Sequence, residues 1–377
     1  MTERYIGLMS GTSMDGVDGV LAEFAAAGGP LRVLHHATAP FPAELKSEFM
    51  ALNTSGPDEL HRAALAGNAL ARCYAAVVRS LLQAGGMDAA AVRAIGAHGQ
   101  TVRHQPGRED GVGYTVQINS PALLAELTGI DVVADLRSRD LAAGGQGAPL
   151  VPAFHREMFG QPGQTVCVLN IGGIANLSVL DRTGGVSGFD CGPGNALMDH
   201  WCDRHQGRPY DADGAWAGGG QIDSALLALL LAEPYFKSAP PKSTGRDLFN
   251  PTWLQARLSG FARVAPVDVQ ATLCELTAAS CARDVQVHGP GARLLIVCGG
   301  GSRNGHLMRR LRALLPGVTV SASDDHGLPA LQVEAAAFAW LARKAVRRET
   351  ASLPSVTGAR GARVLGAVYP AGPSAGA

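Results

Sequence analysis

Two stretches of this chain share one layout, and that recurrence limits the folds open to it. "GLMSGTSMDGVDGVLAEF", residues 7–24, reads as an apolar strand, a turn of glycine and hydroxyl residues holding an acid, and a second apolar strand. "TVCVLNIGGIANLSVLD", residues 165–181, repeats strand, glycine turn and strand about 160 residues later. The likeness is one of pattern, not identity, and it suggests two halves of one architecture. A plain hairpin needs little more than Asp and Gly as turn formers. A turn that gathers Gly11, Thr12, Ser13, Asp15 and Gly16 also offers successive backbone N–H groups and hydroxyl donors, which together make a concave anion site. The residues alone allow either reading.

The rest of the chain alternates strand-like and helix-like stretches, the pattern of the α/β class. Residues 31–41, "LRVLHHATAPF", read as a third strand running into a loop. Residues 58–86 form a long amphipathic helix with an acid-rich start and a Gly-Gly stop. Residues 92–97 are a strand that ends in the polar loop "AHGQTVRHQP". A short strand follows in "TGIDVVADLRSRDLAAGGQGAPLVPAFH", then a loop rich in glycine and charge. Residues 294–298 are an apolar strand leading through three glycines into an amphipathic helix, and residues 329–346 are a late helix. After Pro370 only Ala, Gly, Pro and Ser remain, the composition of a frayed end.

Composition narrows the function classes. The chain has 377 residues, 46% hydrophobic and 17% charged, which fits a globular protein with a sizeable core. Thirty-two Lys and Arg balance 32 Asp and Glu, so no global basic field recruits nucleic acid or an anionic membrane, although a local patch stays open. No run of about 20 apolar residues and no charged-then-apolar leader pattern is visible, so no membrane association is expected. The seven scattered cysteines include no C-x-x-C pair, which favours reduced thiols in a cytoplasmic protein over a disulfide framework or a zinc site.

Several polar stretches could carry chemistry. Asp15 or Asp18 could face a metal ion that accompanies phosphates at the first turn. In "NIGGIANLS", Gly172 and Gly173 permit close backbone approach, and Asn170 and Asn176 offer side-chain contacts. In "CGGGSRNGHL", residues 298–307, Gly299, Gly300 and Gly301 stand between a buried strand and a helix N-terminus, as in nucleotide-binding turns generally. Neither G-x-G-x-x-G nor G-x-x-x-x-G-K-[ST] is present. In "SGFDCGPGNALMDHW", Asp190 ends a strand before a Gly-Pro-Gly turn, a position that suits a general base or a helix-entry role. Asp199, inside the following helix, reads as an ordinary polar residue. His98 and His104 are six apart and do not share a helix face, so hydrogen bonding to a substrate or to the loops is expected rather than metal ligation. Residues 135–152 add polar groups and glycine at a strand end, where ligands of α/β sheets sit.

The combination is more specific than its parts. MSGTSMDG, AHGQTVRHQP, AAGGQGAPLVP, NIGGIANL, GFDCGPGNALMD and CGGGSRNGHLM follow one another over nearly the whole chain. Together they resemble the anhydro-N-acetylmuramic acid kinase family, bacterial cell-wall recycling enzymes of the sugar kinase, Hsp70 and actin superfamily. The resemblance implies an α/β, two-domain, actin-like (ribonuclease H-like) ATPase fold with an interdomain cleft. Domain 1–155 would carry the first phosphate hairpin and the sugar-binding loops. Domain 156–377 would carry the second hairpin and the adenosine turn, with the final helix free to pack back on the first domain.

By the same resemblance ATP, with Mg2+, would meet Gly11, Thr12, Ser13, Met14, Asp15, Gly16, Val17 and Asp18 at the first hairpin. It would meet Asn170, Gly172, Gly173 and Asn176 at the second, and Gly299, Gly300, Gly301 and Asn304 at the adenosine turn. Asp190 matches the family's catalytic aspartate, and Glu334 on the late helix is the candidate second acid, with an ordinary helix acid as the alternative. Gln100, Arg103 and Arg137 are candidates to hold the amino sugar or its lactyl carboxylate, which suits a bidentate guanidinium. Many superfamily members carry an acid just before the first turn. Here those positions are Met9 and Ser10, so Asp15 and Asp18 are the remaining metal candidates.

The implied reaction is hydrolytic opening of 1,6-anhydro-N-acetylmuramic acid with phosphorylation of O6, giving N-acetylmuramic acid 6-phosphate and ADP. A homodimer is implied too. The rivals are another sugar kinase of the superfamily and a non-kinase actin-like ATPase, either chaperone or filament protein. Too little chain follows Leu365 for a chaperone's peptide-binding domain. A metal-dependent tRNA-modifying relative would call for H-x-x-x-H, which the sequence lacks.

Overall fold

The structure is a computed structural model that describes residues 2–11, 14–25, 31–245 and 248–372. In chain order the strands are β1 (Glu3–Met9), β2 (Gly16–Phe24), β3 (Arg32–Pro40), β4 (Ala94–Ala97), β5 (Gln100–Pro106), β6 (Gly113–Ile118), β7 (Val132–Ala134), β8 (Val166–Ile171), β9 (Ile174–Leu180), β10 (Val186–Pro193), β11 (Leu294–Cys298), β12 (Thr319–Ala322) and β13 (Ala367–Tyr369). The chain divides into two compact units, Met1–Met158 with Gln332–Ala377, and Phe159–Leu331.

The first unit is built on a six-stranded sheet ordered β13-β7-β4-β1-β2-β3. β3, β2 and β1 are antiparallel neighbours, β1, β4 and β7 are parallel, and β13 pairs antiparallel with β7. The helix Glu59–Gly85 packs on β2 and β3 through Leu70, Tyr74, Val77, Val78 and Leu81, all buried and spaced as one helix face. Its stop is a left-handed Gly86, as the Gly-Gly signal indicates, but its start is not a side-chain cap. Asp58 is itself left-handed and makes no capping bond.

The late helix, Val333–Val346, packs on β1, β2 and β4. Gly7 and Gly96 pair in register across β1 and β4. A Cβ on Gly7 would meet the Ala335 carbonyl oxygen, and one on Gly96 the Phe338 carbonyl oxygen. The helix backbone therefore rests directly on the strands, and its Ala335, Ala336, Ala339 and Ala342 supply the small surface that such an approach requires. That packing is why the chain from Gln332 onward counts with the first unit.

One expectation is corrected here. "QTVRHQP", read as loop, is β5, paired with β6 in a two-stranded ribbon with a bulge between Thr101 and Arg103. The ribbon is half-buried rather than packed in a core, so its strands lack the apolar run that marks a sheet interior.

The second unit has a five-stranded sheet ordered β10-β9-β8-β11-β12. Again the first three strands are antiparallel neighbours and the last two run parallel to β8. Set beside β3-β2-β1-β4-β7, the order and directions are the same. The recurrence of the two hairpins thus extends to whole sheets, and two ribonuclease H-like units of this kind make the actin-like fold. The helix Pro266–His288 packs on β9 and β10 as Glu59–Gly85 packs on β2 and β3.

Candidate active site

In the second unit the strand registers put four residues in one row. Cys298 of β11 pairs with Asn170 of β8, Asn170 with Asn176 of β9, and Asn176 with Asp190 of β10. Directly opposed residues project to the same face, so Asn176 stands beside the candidate base and Asn170 one strand further along the same row. Buried Asn170 accepts a hydrogen bond from the Cys298 thiol through Oδ1, at 3.7 Å.

Three turns close on one another next to this row. Gly194 N–H donates to Gly173 O at 2.9 Å, Asn195 N–H to Gly172 O at 2.8 Å and Ala196 N–H to Gly173 O at 3.2 Å. Asn195 Nδ2 also donates to Ile171 O at 3.1 Å. The fit excludes side chains: a Cβ on Gly194 would meet Gly172 O, on Gly301 the Ile171 side chain, and on Gly299 the Asn170 Oδ1. Gly299, at φ 77° and ψ 179°, occupies backbone space that is essentially glycine's own. A methyl group added at Gly172 or Gly173 would meet nothing closer than 3.7 Å, so that backbone is open to a ligand. Asn304 is committed elsewhere, since its Oδ1 caps the helix Gly305–Leu314 by accepting Leu307 N–H at 2.9 Å.

Asp190 sits at a bulge, where the register with β9 shifts between Asp190 and Gly192. Bulges re-aim side chains next to active sites. Its N–H donates to Lys242 O at 3.2 Å, its C=O accepts from Tyr235 OH at 2.7 Å, and its Oδ2 accepts Thr244 N–H at 3.0 Å. The residue keeps some exposed surface, yet its carboxyl lies among dense packing. Burial pushes that carboxyl up to about 6, against the Thr244 N–H and the Lys242 charge, which pull it down. A carboxylate so poised is ionised at neutral pH and accepts a proton more readily than an ordinary aspartate. Lys242 escapes sequence reading because its partner, Asp284, lies 42 residues on.

In the first unit Thr12 and Ser13 lie outside the described residues, so the first turn is known by its flanks. Ser10 is buried, and its Oγ donates to Gly99 O at 2.8 Å and meets Tyr74 OH at 3.0 Å. Gln100 Nε2 donates to Gly11 O at 3.2 Å, while its buried Oε1 has no partner among the described residues. Met14 N–H donates to Gly11 O at 3.1 Å, with Met14 left-handed at φ 56°. Gly16 and Val17 open β2, and a Cβ on Gly16 would meet Ala39 O. Asp15 is exposed and pairs with Lys46 at 2.9 Å, and Asp18 faces His36 at 3.6 Å. Among the described residues no three His, Cys, Asp or Glu side chains gather to hold a metal ion.

The two candidate arginines have different commitments. Arg103 Nε donates to Leu52 O and Asn53 O, and its guanidinium pairs with Glu59 at 2.6 Å. Arg137 donates to Gly147 O at 2.8 Å and to His98 Nε2 at 2.9 Å, and its Nε has no partner among the described residues. Burial lowers Arg137 to about 10, with Glu334 opposing, so the guanidinium stays charged. Because His98 Nε2 accepts from Arg137, its proton is on Nδ1, 3.3 Å from Ser10 O. Burial, then the Arg137 charge, holds His98 down at about 3 and His104 at about 4, so both are neutral hydrogen-bonding groups. Arg137, His98 and Ser10 thus form one hydrogen-bonded chain behind the first turn, and the Glu334 charge acts on Arg137.

The chain matches the family described as anhydro-N-acetylmuramic acid kinase over residues 3–371. Proteins of that name from Variovorax paradoxus, Albidiferax ferrireducens and Cupriavidus pinatubonensis are 67%, 61% and 60% identical to it. Each alignment covers 98% of this chain and 99%, 100% and 98% of the relative, respectively. Among solved structures, the activator of 2-hydroxyisocaproyl-CoA dehydratase from Clostridium difficile with bound ADPNP aligns over 93% of this chain and 99% of its own. At 12% identity and a TM-score of 0.47 that likeness is too remote to decide function. The full-length matches decide the family: the chain belongs to the anhydro-N-acetylmuramic acid kinases.

Proposed function

We propose that this chain opens 1,6-anhydro-N-acetylmuramic acid with water and phosphorylates O6 from ATP, giving N-acetylmuramic acid 6-phosphate and ADP in peptidoglycan recycling. Identities of 60–67% over nearly the whole length to proteins named for this kinase support the reading. The observation that carries the mechanism is Asp190, a carboxyl raised to about 6 beside the second hairpin.

The substrate has no free O6, because that oxygen is bridged to the anomeric carbon. Asp190 takes one proton from water, and the water oxygen bonds to that carbon. The bond from the anomeric carbon to O6 breaks, and O6 carries its electron pair to the γ-phosphorus. The bond from the γ-phosphorus to the ADP oxygen breaks in turn. Sugar, water and ATP thus give phosphosugar, ADP and the proton held by Asp190. Glu334 is the second acid.

Arg137, charged and with an Nε unpartnered among the described residues, suits the lactyl carboxylate, and Gln100 offers its Oε1, likewise unpaired among them, to a sugar hydroxyl or amide. Arg103 is a weaker candidate, since Glu59 already holds it. The backbone of 11–18 and 170–178 would cradle phosphates, and 299–304 the adenosine. Mg2+ would enter as ATP's own counterion and supply charge neutralisation there. Asp15 and Asp18, which face Lys46 and His36, do not form a cage for it. A cytoplasmic homodimer belongs to the same reading, by family resemblance and the seven free thiols.

The test is ADP release by the purified protein with Mg-ATP and a panel of sugars. ADP release that depends on the anhydro sugar, and is lost in Asp190→Asn, is expected. ADP release with unbridged N-acetylmuramic acid or glucose instead would assign an ordinary sugar kinase.

A further inference from the structure

Next to Asp190 lies a buried ion pair that the reaction as derived does not use. Lys242 and Asp284 are 3.2 Å apart, with side chains 4% and 7% exposed. Burying two charges is costly, and an apolar pair of similar volume often serves stability as well or better. We propose that Lys242, clamped by Asp284, is the positioning residue of the base: it pins segment 242–244 around Asp190 and supplies the positive charge that favours its carboxylate. The inference rests on Asp190 being the base.

Segment 242–244 has no helix or strand structure of its own. Yet among the described residues it makes two of the three hydrogen bonds that fix Asp190: Lys242 O accepts the Asp190 N–H, and Thr244 N–H donates to Oδ2. Something must anchor it, and the Lys242 side chain does. Its Nζ reaches Asp284 of the helix Pro266–His288 and lies 5.4 Å from the Phe189 ring centre and 5.2 Å from that of Tyr235. Tyr235 in turn holds the Asp190 carbonyl. Asp190 N–H is therefore held by Lys242 itself, its C=O by Tyr235 beside the Lys242 ammonium, and its carboxylate by Thr244 two residues along.

The field points the same way. Of the described side chains around Asp190, Lys242 is the charge that favours its ionised form. The other titratable groups here are Asp284 and Cys281 on the long helix, Cys191 on β10, Tyr235, and His288, whose ring stands 4.8 Å from that of Phe189. Burial raises Cys191, which keeps it neutral.

The experiment compares pH profiles of kcat/KM for full-length wild type, Lys242→Met, Asp284→Asn and the double variant, with Asp190→Asn beside them. The anhydro sugar and Mg-ATP are the substrates. In Lys242→Met and in the double variant the acid limb should move up by about one pH unit. At the same time kcat should fall about tenfold with the KM for ATP little changed. In Asp284→Asn the ammonium remains, and the limb should not rise. If Lys242→Met, which orphans a buried carboxylate, does not fold, the double variant carries the test because it leaves no orphan charge. A purely structural pair would lower stability without moving the limb. An unmoved limb in the folded double variant overturns the inference, and full activity in Asp190→Asn overturns the base assignment instead.

Discussion

The two units share strand order and direction, but the contacts around their turns differ in kind. The described flanks of the first turn rest largely on side chains, with Ser10 bonded to Gly99 and Tyr74 and Gln100 reaching Gly11 O. The second is held by backbone against backbone: Gly172 O and Gly173 O accept from the 194–196 turn, and Gly194, Gly299 and Gly301 leave no room for a Cβ at their points of contact. A turn held by side chains can be loosened one hydrogen bond at a time. A turn held by glycine contact fails at once when a methyl group is added. The polar groups at the strand ends divide in the same way. The first unit holds a cation, Arg137, between neutral histidines, and the second holds an acid of raised proton affinity. That division matches a reaction that must bind an anion and remove a proton.

The largest effect is expected at Asp190. Asp190→Asn should lower kcat/KM about 1000-fold. The same change should stabilise the fold at pH 8. The carboxyl titrates at about 6 in the folded protein against 3.8 as an ordinary aspartate, so the native state binds the proton more tightly. The aspartate therefore costs nothing extra below about pH 4; its cost grows as pH rises to about 6 and is complete above it. Removing the charge should gain about 3 kcal/mol in denaturant unfolding at pH 8 and little at pH 4. A pH-independent effect would refute the raised proton affinity.

Gly299→Ala comes next. It forces a side chain into a glycine-only backbone region against Asn170 Oδ1, and should cost about 3 kcal/mol or abolish ATP-dependent stabilisation. Ser10→Ala is the smallest, about 1 kcal/mol in unfolding, with the KM for ATP raised a few-fold. If thermal unfolding and ATP titration give the two variants equal losses, the contrast between the turns is wrong.

Much of this was legible in the chain. The hairpin recurrence pointed to the doubled sheet, because a strand–glycine–strand pattern is local. The helix Glu59–Gly85 announced itself through periodicity and its Gly86 stop, although Asp58 is not a cap. Asp190 was readable as an acid at a strand end. What escaped was non-local. The β5–β6 ribbon has wet strands without an apolar run. The helix Pro266–His288 is buried almost all round and shows no clean stripe. Lys242 and Asp284 acquire meaning only when 42 residues of separation are folded away. Arg103 and Arg137 look alike in the sequence, yet one pairs with Glu59 and the other bonds to His98.

The central claim is that water, not a sugar hydroxyl, is activated, and mass spectrometry of the product formed in 18O-labelled water tests it most directly. With 1,6-anhydro-N-acetylmuramic acid and Mg-ATP, the account predicts a sugar phosphate carrying one 18O at the anomeric carbon and none in the phosphoryl group. Label in the phosphoryl group, or a phosphorylated sugar with its bridge intact, would contradict it.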